Sequence, residues 1–428
     1  MNSLDPISFQ IHTFGCKVNT YDSGLLQSRL GKNGFVLATE KDDKPQVHVL
    51  NTCAVTKEAT REAVKVARRL KAKNPLSLVV VTGCAAQVDT EEFHIPGIDL
   101  VVANSHKTSL EKLIRLYYSG QLRERVHKSN IFKKEDLEPG GGVEAEHTRA
   151  FLKIQDGCNS FCTFCVIPFA RGKSRSLTVK DIVKRVRELE AGGAREVVLT
   201  GVHIGDYEDG SLVLEDLVEA VLRDTTIARI RLTSLEPVEV TPRLLALYKD
   251  PRLCAHFHMS IQSANTKVLR EMKRKYTAED VETSLCAIQR EVPGSFVGMD
   301  VIAGFPGETD EEFLDTVERL KSLPWTRIHV FPYSSRPGTF AARREDHVSA
   351  EQIRLRASVL RELSDARHTE AAAAQVGQIK PSLSLRNGKL LTRDFWSVEL
   401  LSGEAAPNQE LPILIEKASS THLLGRTI

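Results

Sequence analysis

No run of about 18 apolar residues occurs anywhere in the 428-residue chain, so no membrane span is expected. Residues Met1 to Phe9 hold Asp5 and Pro6 where a secretory leader would have a basic and then an apolar stretch, so no signal peptide is expected either. Eight cysteines are too few for a disulfide scaffold, and a reducing cytoplasm would keep them as thiols. Charge of one sign is also missing: the net charge is +2, which by itself does not argue for a nucleic-acid partner and makes charge placement the useful signal. No second Cys-x-x-Cys or His-x-x-x-His pair follows the main cysteine motif, which sets zinc aside. What remains is ordinary soluble globular composition, 41% hydrophobic and 27% charged, in a chain long enough for two or three domains.

The most informative stretch is Lys153-Ile-Gln-Asp-Gly-Cys-Asn-Ser-Phe-Cys-Thr-Phe-Cys-Val-Ile-Pro168. Cys158, Cys162 and Cys165, separated by three and then two residues, can reach three corners of one compact 4Fe-4S cluster. Such clusters normally take four thiolates, so the fourth iron is left open to another molecule.

Apolar runs at Ile7 to Thr13, Val47 to Asn51, Leu78 to Thr82 and Ile98 to Ala103 alternate with helical patterns near 20–34, 56–73 and 106–118. That alternation predicts a small parallel α/β sheet. Cys16, Cys53 and Cys84 each fall just past the end of one run. The carboxyl ends of parallel strands share a rim where ligands bind, so three cysteines distant in sequence converge there. One such cysteine alone would be read as a small buried residue; three at equivalent places suggest a second cluster with three protein ligands.

Residues 121–149 contain Arg123, Arg125, Lys128, Lys133, Lys134 and Pro139-Gly-Gly-Gly142, the composition of an exposed linker. From Phe151 six further strand–helix units follow, with strands expected at Phe151 to Gln155, Glu196 to Thr200, Ile230 to Ser234, His256 to Gln262, Phe296 to Ala303 and Arg327 to Pro332. They fit a partial, open (β/α)6 barrel whose reactive groups sit at the strand carboxyl ends. A long helix over 349–374 is followed by five short runs between Pro381 and Gly425 that suggest a small antiparallel β-barrel. The expected fold class is therefore α/β, with domains at 1–120, 150–374 and 375–428 and a linker at 121–149.

The Cys158 motif with its flanks resembles the radical S-adenosylmethionine (radical SAM) signature. Gly15 to Asn19 and the three dispersed cysteines are similar to the start of the methylthiotransferases within that superfamily. The resemblance implies the six-strand barrel and a terminal TRAM-like RNA-binding module. It also implies two 4Fe-4S clusters, one open iron holding SAM for cleavage to a 5'-deoxyadenosyl radical and the other holding sulfur. Two SAM molecules would be used per turnover, to place a methylthio group on C2 of an adenine. Gly15 to Asn19, Ala170 to Ser176 and His329 to Thr339 look closest to the bacterial group acting on N6-threonylcarbamoyladenosine at position 37 of tRNA. Isopentenyladenosine in tRNA and a ribosomal-protein aspartate are the alternative substrates. A non-catalytic iron–sulfur RNA-binding or redox protein is the alternative of another class, against which the intact Cys158 motif argues.

Cofactor contacts are expected at Gly201, where glycine allows close approach, and at Ser234, Glu236, Gln262 and Asp300, polar groups on otherwise apolar strands. Arg171, Lys173 and Arg175 lie just beyond the cluster loop and are expected to hold RNA phosphates. The basic residues of the 56–73 helix read instead as a solvated face, and Cys254 and Cys286 as structural thiols. The terminal segment is almost neutral; Phe395 and Trp396 could stack on bases there unless the small barrel needs them as core. The expected setting is a cytoplasmic monomer, off the membrane, served by tRNA, an external electron donor and a sulfur source.

Overall fold

The computed structural model describes residues 6–38, 44–134, 137 and 148–428. Pro139 to Gly142 of the expected linker lie outside the described residues. By contacts the chain divides into two compact units. One comprises Met1–Gly142, Gln155–Ser176 and Ser334–Ala342; the other comprises Val143–Ile154, Leu177–Tyr333 and Arg343–Ile428.

In the first unit the described residues form a six-stranded sheet in the order Val36–Leu37, Ser8–Thr13, Val47–Thr52, Leu78–Gly83, Leu100–Ala103 and Val126–His127, with every neighbour parallel. The two central strands are buried along their whole length, which is why they read as unbroken apolar runs rather than alternating ones. Val47, Val49 and Val80 face Leu26, Leu30 and Leu113, whereas Leu50, Val79 and Val81 face Ala63, Ala67 and Phe93. Helices thus cover both faces. Thr56 caps the helix Lys57–Lys73 by accepting from the Ala59 amide, and Arg61, Lys65, Arg68 and Arg69 of that helix are exposed, as a solvated face requires. Residues 121–134 are less loose than their composition suggests, since Val126–His127 supplies the sheet's edge strand.

In the second unit the described residues form six parallel-barrel strands in chain order: Arg149–Lys153, Glu196–Thr200 and Arg229–Leu232 in one sheet, His256–Gln262, Phe296–Ala303 and Arg327–Pro332 in another. A parallel bridge between Leu235 and Met259 links the two sheets into one open barrel. The helix Ala350–Ala373 packs against the last of these strands. Beyond it Ile379–Ser384, Leu390–Thr392, Ser397–Leu400, Glu410–Ala418 and Leu423–Thr427 close into a five-stranded barrel. That barrel departs from the fully antiparallel expectation at one place, because Ser397–Leu400 and Leu423–Thr427 run parallel. Trp396, buried in the barrel core, packs on His368, and Phe395 stacks on His256 at 4.0 Å between ring centroids; both rings are packing residues and not open stacking surfaces. Among the described residues no helix is long and apolar enough to cross a membrane.

Candidate functional site

The register of the first sheet aligns its strand ends. Thr13 lies opposite Asn51, and Thr52 opposite Gly83, so the residues that follow, Cys16, Cys53 and Cys84, emerge along one rim. Two glycines make the approach close. A Cβ on Gly15, at φ +90°, would lie 2.5 Å from Cys53 Cβ and 2.6 Å from its Sγ; one on Gly83, at φ +97°, would lie 2.4 Å from the Thr52 carbonyl oxygen. Only glycine fits either place, and both bring a neighbouring cysteine against the Thr52–Cys53 strand end.

Cys53 and Cys84 are buried and Cys16 is exposed. Burial, with Cys84 nearby, pushes the Cys53 thiol up to about 12, and burial raises Cys84 as well. Two buried cations counter this: Arg171 acts electrostatically on all three thiols and Lys107 on Cys84. Such a donor set suits an anionic metal–sulfur group, in which the metal displaces thiol protons that burial would otherwise retain.

The second cysteine group belongs to the same unit. Gln155 donates to the Gly157 carbonyl at 2.7 Å and to Ser174 Oγ at 2.8 Å, and the Cys158 amide donates to the Gly172 carbonyl at 3.1 Å. The Cys165 amide closes a tight turn on the Cys162 carbonyl at 3.0 Å. Gly157, at φ +76°, is where the loop touches its own returning segment, since a Cβ there would lie 2.0 Å from the Lys173 carbonyl oxygen. Cys162 is buried; Cys158 and Cys165 are partly exposed, an arrangement that leaves the loop accessible to a ligand. The segment Ser334–Ala342 braces it: the Ala341 amide donates to the Thr163 carbonyl at 2.8 Å, and buried Arg336 pairs with Asp89.

Arg171 is not at the surface where phosphates would meet it. It is 3% exposed, with Nη1 on Asp156 Oδ1 at 2.9 Å and Nη2 on Asn19 Oδ1 at 2.6 Å and Asp22 Oδ2 at 3.1 Å. Burial opposes its charge, and Asp156 foremost among the neighbouring groups keeps it protonated. Arg175 likewise turns to the carbonyl oxygens of Lys173 at 2.9 Å and Arg171 at 3.2 Å. Of the three expected phosphate contacts, Lys173 alone is exposed.

In the barrel unit the expected cofactor residues fall into two groups. Gly201 is buried just past its strand. Ser234 and Gln262 both adopt left-handed backbone, at φ +54° and +64°, at the ends of consecutive strands, a costly conformation for residues with a Cβ. Glu236 is buried against Arg274 Nη2 at 2.9 Å and His203 Nε2 at 3.4 Å, and burial pushes its carboxyl up. Asp300 instead accepts from His258 Nε2 at 3.0 Å, beside His329. Glu239 escaped the sequence reading, since its contact with His203 Nε2 at 2.5 Å is non-local. Cys254 is buried as expected of a structural thiol, whereas Cys286 is exposed on its helix.

A family model described as the radical SAM superfamily matches residues 152–320, and one described as uncharacterized protein family UPF0004 matches residues 8–103. A threonylcarbamoyladenosine tRNA methylthiotransferase MtaB of Aquifex aeolicus is 36% identical over 391 residues, covering 90% of this chain and 95% of that protein. One of Bacillus subtilis is 37% identical, covering 86% and 82%. A tRNA-2-methylthio-N(6)-dimethylallyladenosine synthase of Novosphingobium aromaticivorans is 30% identical, covering 99% and 98%. Among solved structures the radical SAM methyltransferase TsrM of Kitasatospora setae, with cobalamin and a [4Fe-4S] cluster bound, aligns with a TM-score of 0.58 at 15% identity, covering 79% of this chain and 77% of that one; this likeness concerns the fold alone.

Proposed function

From its membership of the radical SAM tRNA methylthiotransferases, the family to which this chain belongs, we propose that it adds a methylthio group to C2 of N6-threonylcarbamoyladenosine at position 37 of tRNA. As a radical SAM enzyme it works with an iron–sulfur cluster and SAM. The count of two clusters is part of the proposal, and the observation that carries it is the convergence of Cys16, Cys53 and Cys84 in the same unit as the Cys158 loop.

Cys158, Cys162 and Cys165 would hold the cluster whose open iron takes SAM, and Cys16, Cys53 and Cys84 the cluster that holds sulfur. When bound, these groups supply reductive cleavage of SAM, hydrogen abstraction and sulfur delivery, chemistry that side chains do not provide. The chain's own residues bind and orient. Burial of Cys53 and Cys84 excludes water from their sulfurs, and Arg171 and Lys107 balance negative charge placed there. Gly201, Ser234, Glu236, Gln262 and Asp300 would contact SAM at the barrel's strand ends. Lys173, the exposed member of the three, would meet RNA phosphates. An external reductant, a sulfur source, two SAM per turnover, a monomeric state and a cytoplasmic location complete the reading.

The dimethylallyladenosine relative, which aligns over almost the whole chain, favours isopentenyladenosine as the second substrate reading. Mass spectrometry of nucleosides from tRNA of cells with and without the gene separates the two. Loss of 2-methylthio-threonylcarbamoyladenosine with accumulation of its unthiolated precursor is expected, and its persistence would overturn the substrate. Anaerobic reconstitution should give about eight irons per chain for two clusters, and about four would exclude the second.

A further inference from the structure

Three phenylalanine rings of the first unit meet beside the Cys158 loop. Phe132 stacks on Phe161 with ring centroids 6.1 Å apart, and Phe169 meets both edge-on at 5.9 Å. They do not form a core: Phe161 is 36% and Phe169 40% exposed. Phe340, next to the Ala341 amide that bonds Thr163 of the loop, is 65% exposed. Large aromatic rings grouped at a surface mark an interaction site more often than chance exposure does. Phe161 also adopts φ +46°, a left-handed conformation unusual for a phenylalanine, and it does so between two of the loop's cysteines.

The charges nearby indicate the occupant. Lys133 follows Phe132 directly and is exposed, as is Lys173 on the returning segment of the loop. Gly172 packs the two stretches together, since a Cβ there would lie 2.7 Å from the Ile131 carbonyl oxygen. Flat aromatic faces flanked by lysines are the elements by which proteins hold single-stranded nucleic acid, bases on rings and phosphates on cations. An apolar protein partner would need no lysines at this edge, and a purely electrostatic site would need no rings.

We propose that Phe161, Phe169 and Phe340, supported by Phe132, form a stacking platform for an unpaired base of the tRNA anticodon loop next to the adenosine being modified, with Lys133 and Lys173 on the adjoining phosphates. The inference rests on the tRNA reading above. Holding a splayed neighbour by its face would keep the target adenosine out of the stack, as base-modifying enzymes require.

The test uses the anaerobically reconstituted full chain and a fluorescent anticodon stem–loop carrying threonylcarbamoyladenosine, with affinity read by anisotropy. Phe169→Ala and Phe340→Ala should each weaken binding roughly tenfold, Phe169→Trp should restore it, and iron per chain should match wild type. An abasic site should weaken wild-type binding at one unpaired position and cost Phe169→Ala little more at that same position. Wild-type affinity in both alanine variants would overturn the platform while leaving the tRNA reading intact. Weakened binding accompanied by lost iron would assign the rings to loop structure and overturn it too. Failure of the wild type to bind the RNA at all would sink both readings.

Discussion

Substituting Arg171 by glutamine would remove a fully buried cation from between Asp22 and Asp156. Breaking a buried ion pair by deleting one partner typically costs about 3–5 kcal/mol, because the other charge stays out of water. We expect Arg171→Gln to lower the unfolding temperature and the iron bound per chain together, measured by calorimetry and iron assay; retention of both would refute the structural role. A second residue-scale effect is pH-dependent. His12 Nε2 and His48 Nδ1 lie 3.2 Å apart, so one ring donates to the other. Burial, then His48 and Arg69, lowers His12 from 6.5 to about 4. Between these values the unfolded chain binds the extra proton, so stability falls as pH drops from about 6.5 toward 4 and is fully present above that window. The loss should be on the order of 2 kcal/mol after solvent screening. His12→Gln should flatten the dependence of the thermal midpoint on pH, and an unchanged slope would count against it.

Elements differ in how far their residues announce them. The strands Glu196–Thr200, His256–Gln262 and Phe296–Ala303 fall where their apolar runs predict, because buried parallel strands need little else, and the more exposed Arg327–Pro332 also falls at its predicted bounds. The third barrel strand stops at Leu232 instead of Ser234, since the left-handed backbone at Ser234 ends the ladder, and it carries two buried arginines that no hydrophobic pattern would admit. The convergence of Cys16, Cys53 and Cys84 could be read from repeated strand-end positions. The burial of Arg171 could not, because Asn19 and Asp22 lie about 150 residues away in sequence. At this scale Gly157→Ala is the sharpest probe. A Cβ only 2.0 Å from the Lys173 carbonyl, added at positive φ, forces the Cys158 loop off its returning segment. On the two-cluster proposal, spectroscopy and iron assay should show selective loss of the SAM-cleaving cluster, about half the iron, with the second cluster retained; full iron content would refute this.

For the whole molecule, the terminal barrel is joined to the six-stranded barrel by charge. Glu196, fully buried, meets Arg149 at 2.6 Å, Arg229 at 2.9 Å and Arg231 at 3.1 Å. Burial opposes its ionisation, yet Arg231, then Arg149 and Arg229, hold it well below the usual carboxylate range. Arg229 continues to Glu410 at 2.6 Å and to the Thr392 carbonyl at 3.0 Å, both in the terminal barrel. Glu196→Ala would leave buried guanidinium groups short of an anion and should destabilise by roughly 3–5 kcal/mol. Limited proteolysis should then release the terminal barrel more readily than from wild type, and equal resistance would argue against the coupling. In that barrel Lys380, Lys389, Arg393 and Arg426 each face a carboxylate, which accounts for its near-neutral balance and turns attention to the lysines beside the cysteine loop for RNA contact. The division of the chain also bears on how such enzymes can be recombined. Both cysteine groups share one unit, yet that unit is assembled from three separated lengths of chain, with Gln155–Ser176 and Ser334–Ala342 returning to it from the barrel. A graft of the first 120 residues from a relative would therefore carry one cysteine set without its companion and without the Asp89 partner's match, Arg336. A faithful chimera must transplant all three lengths at once.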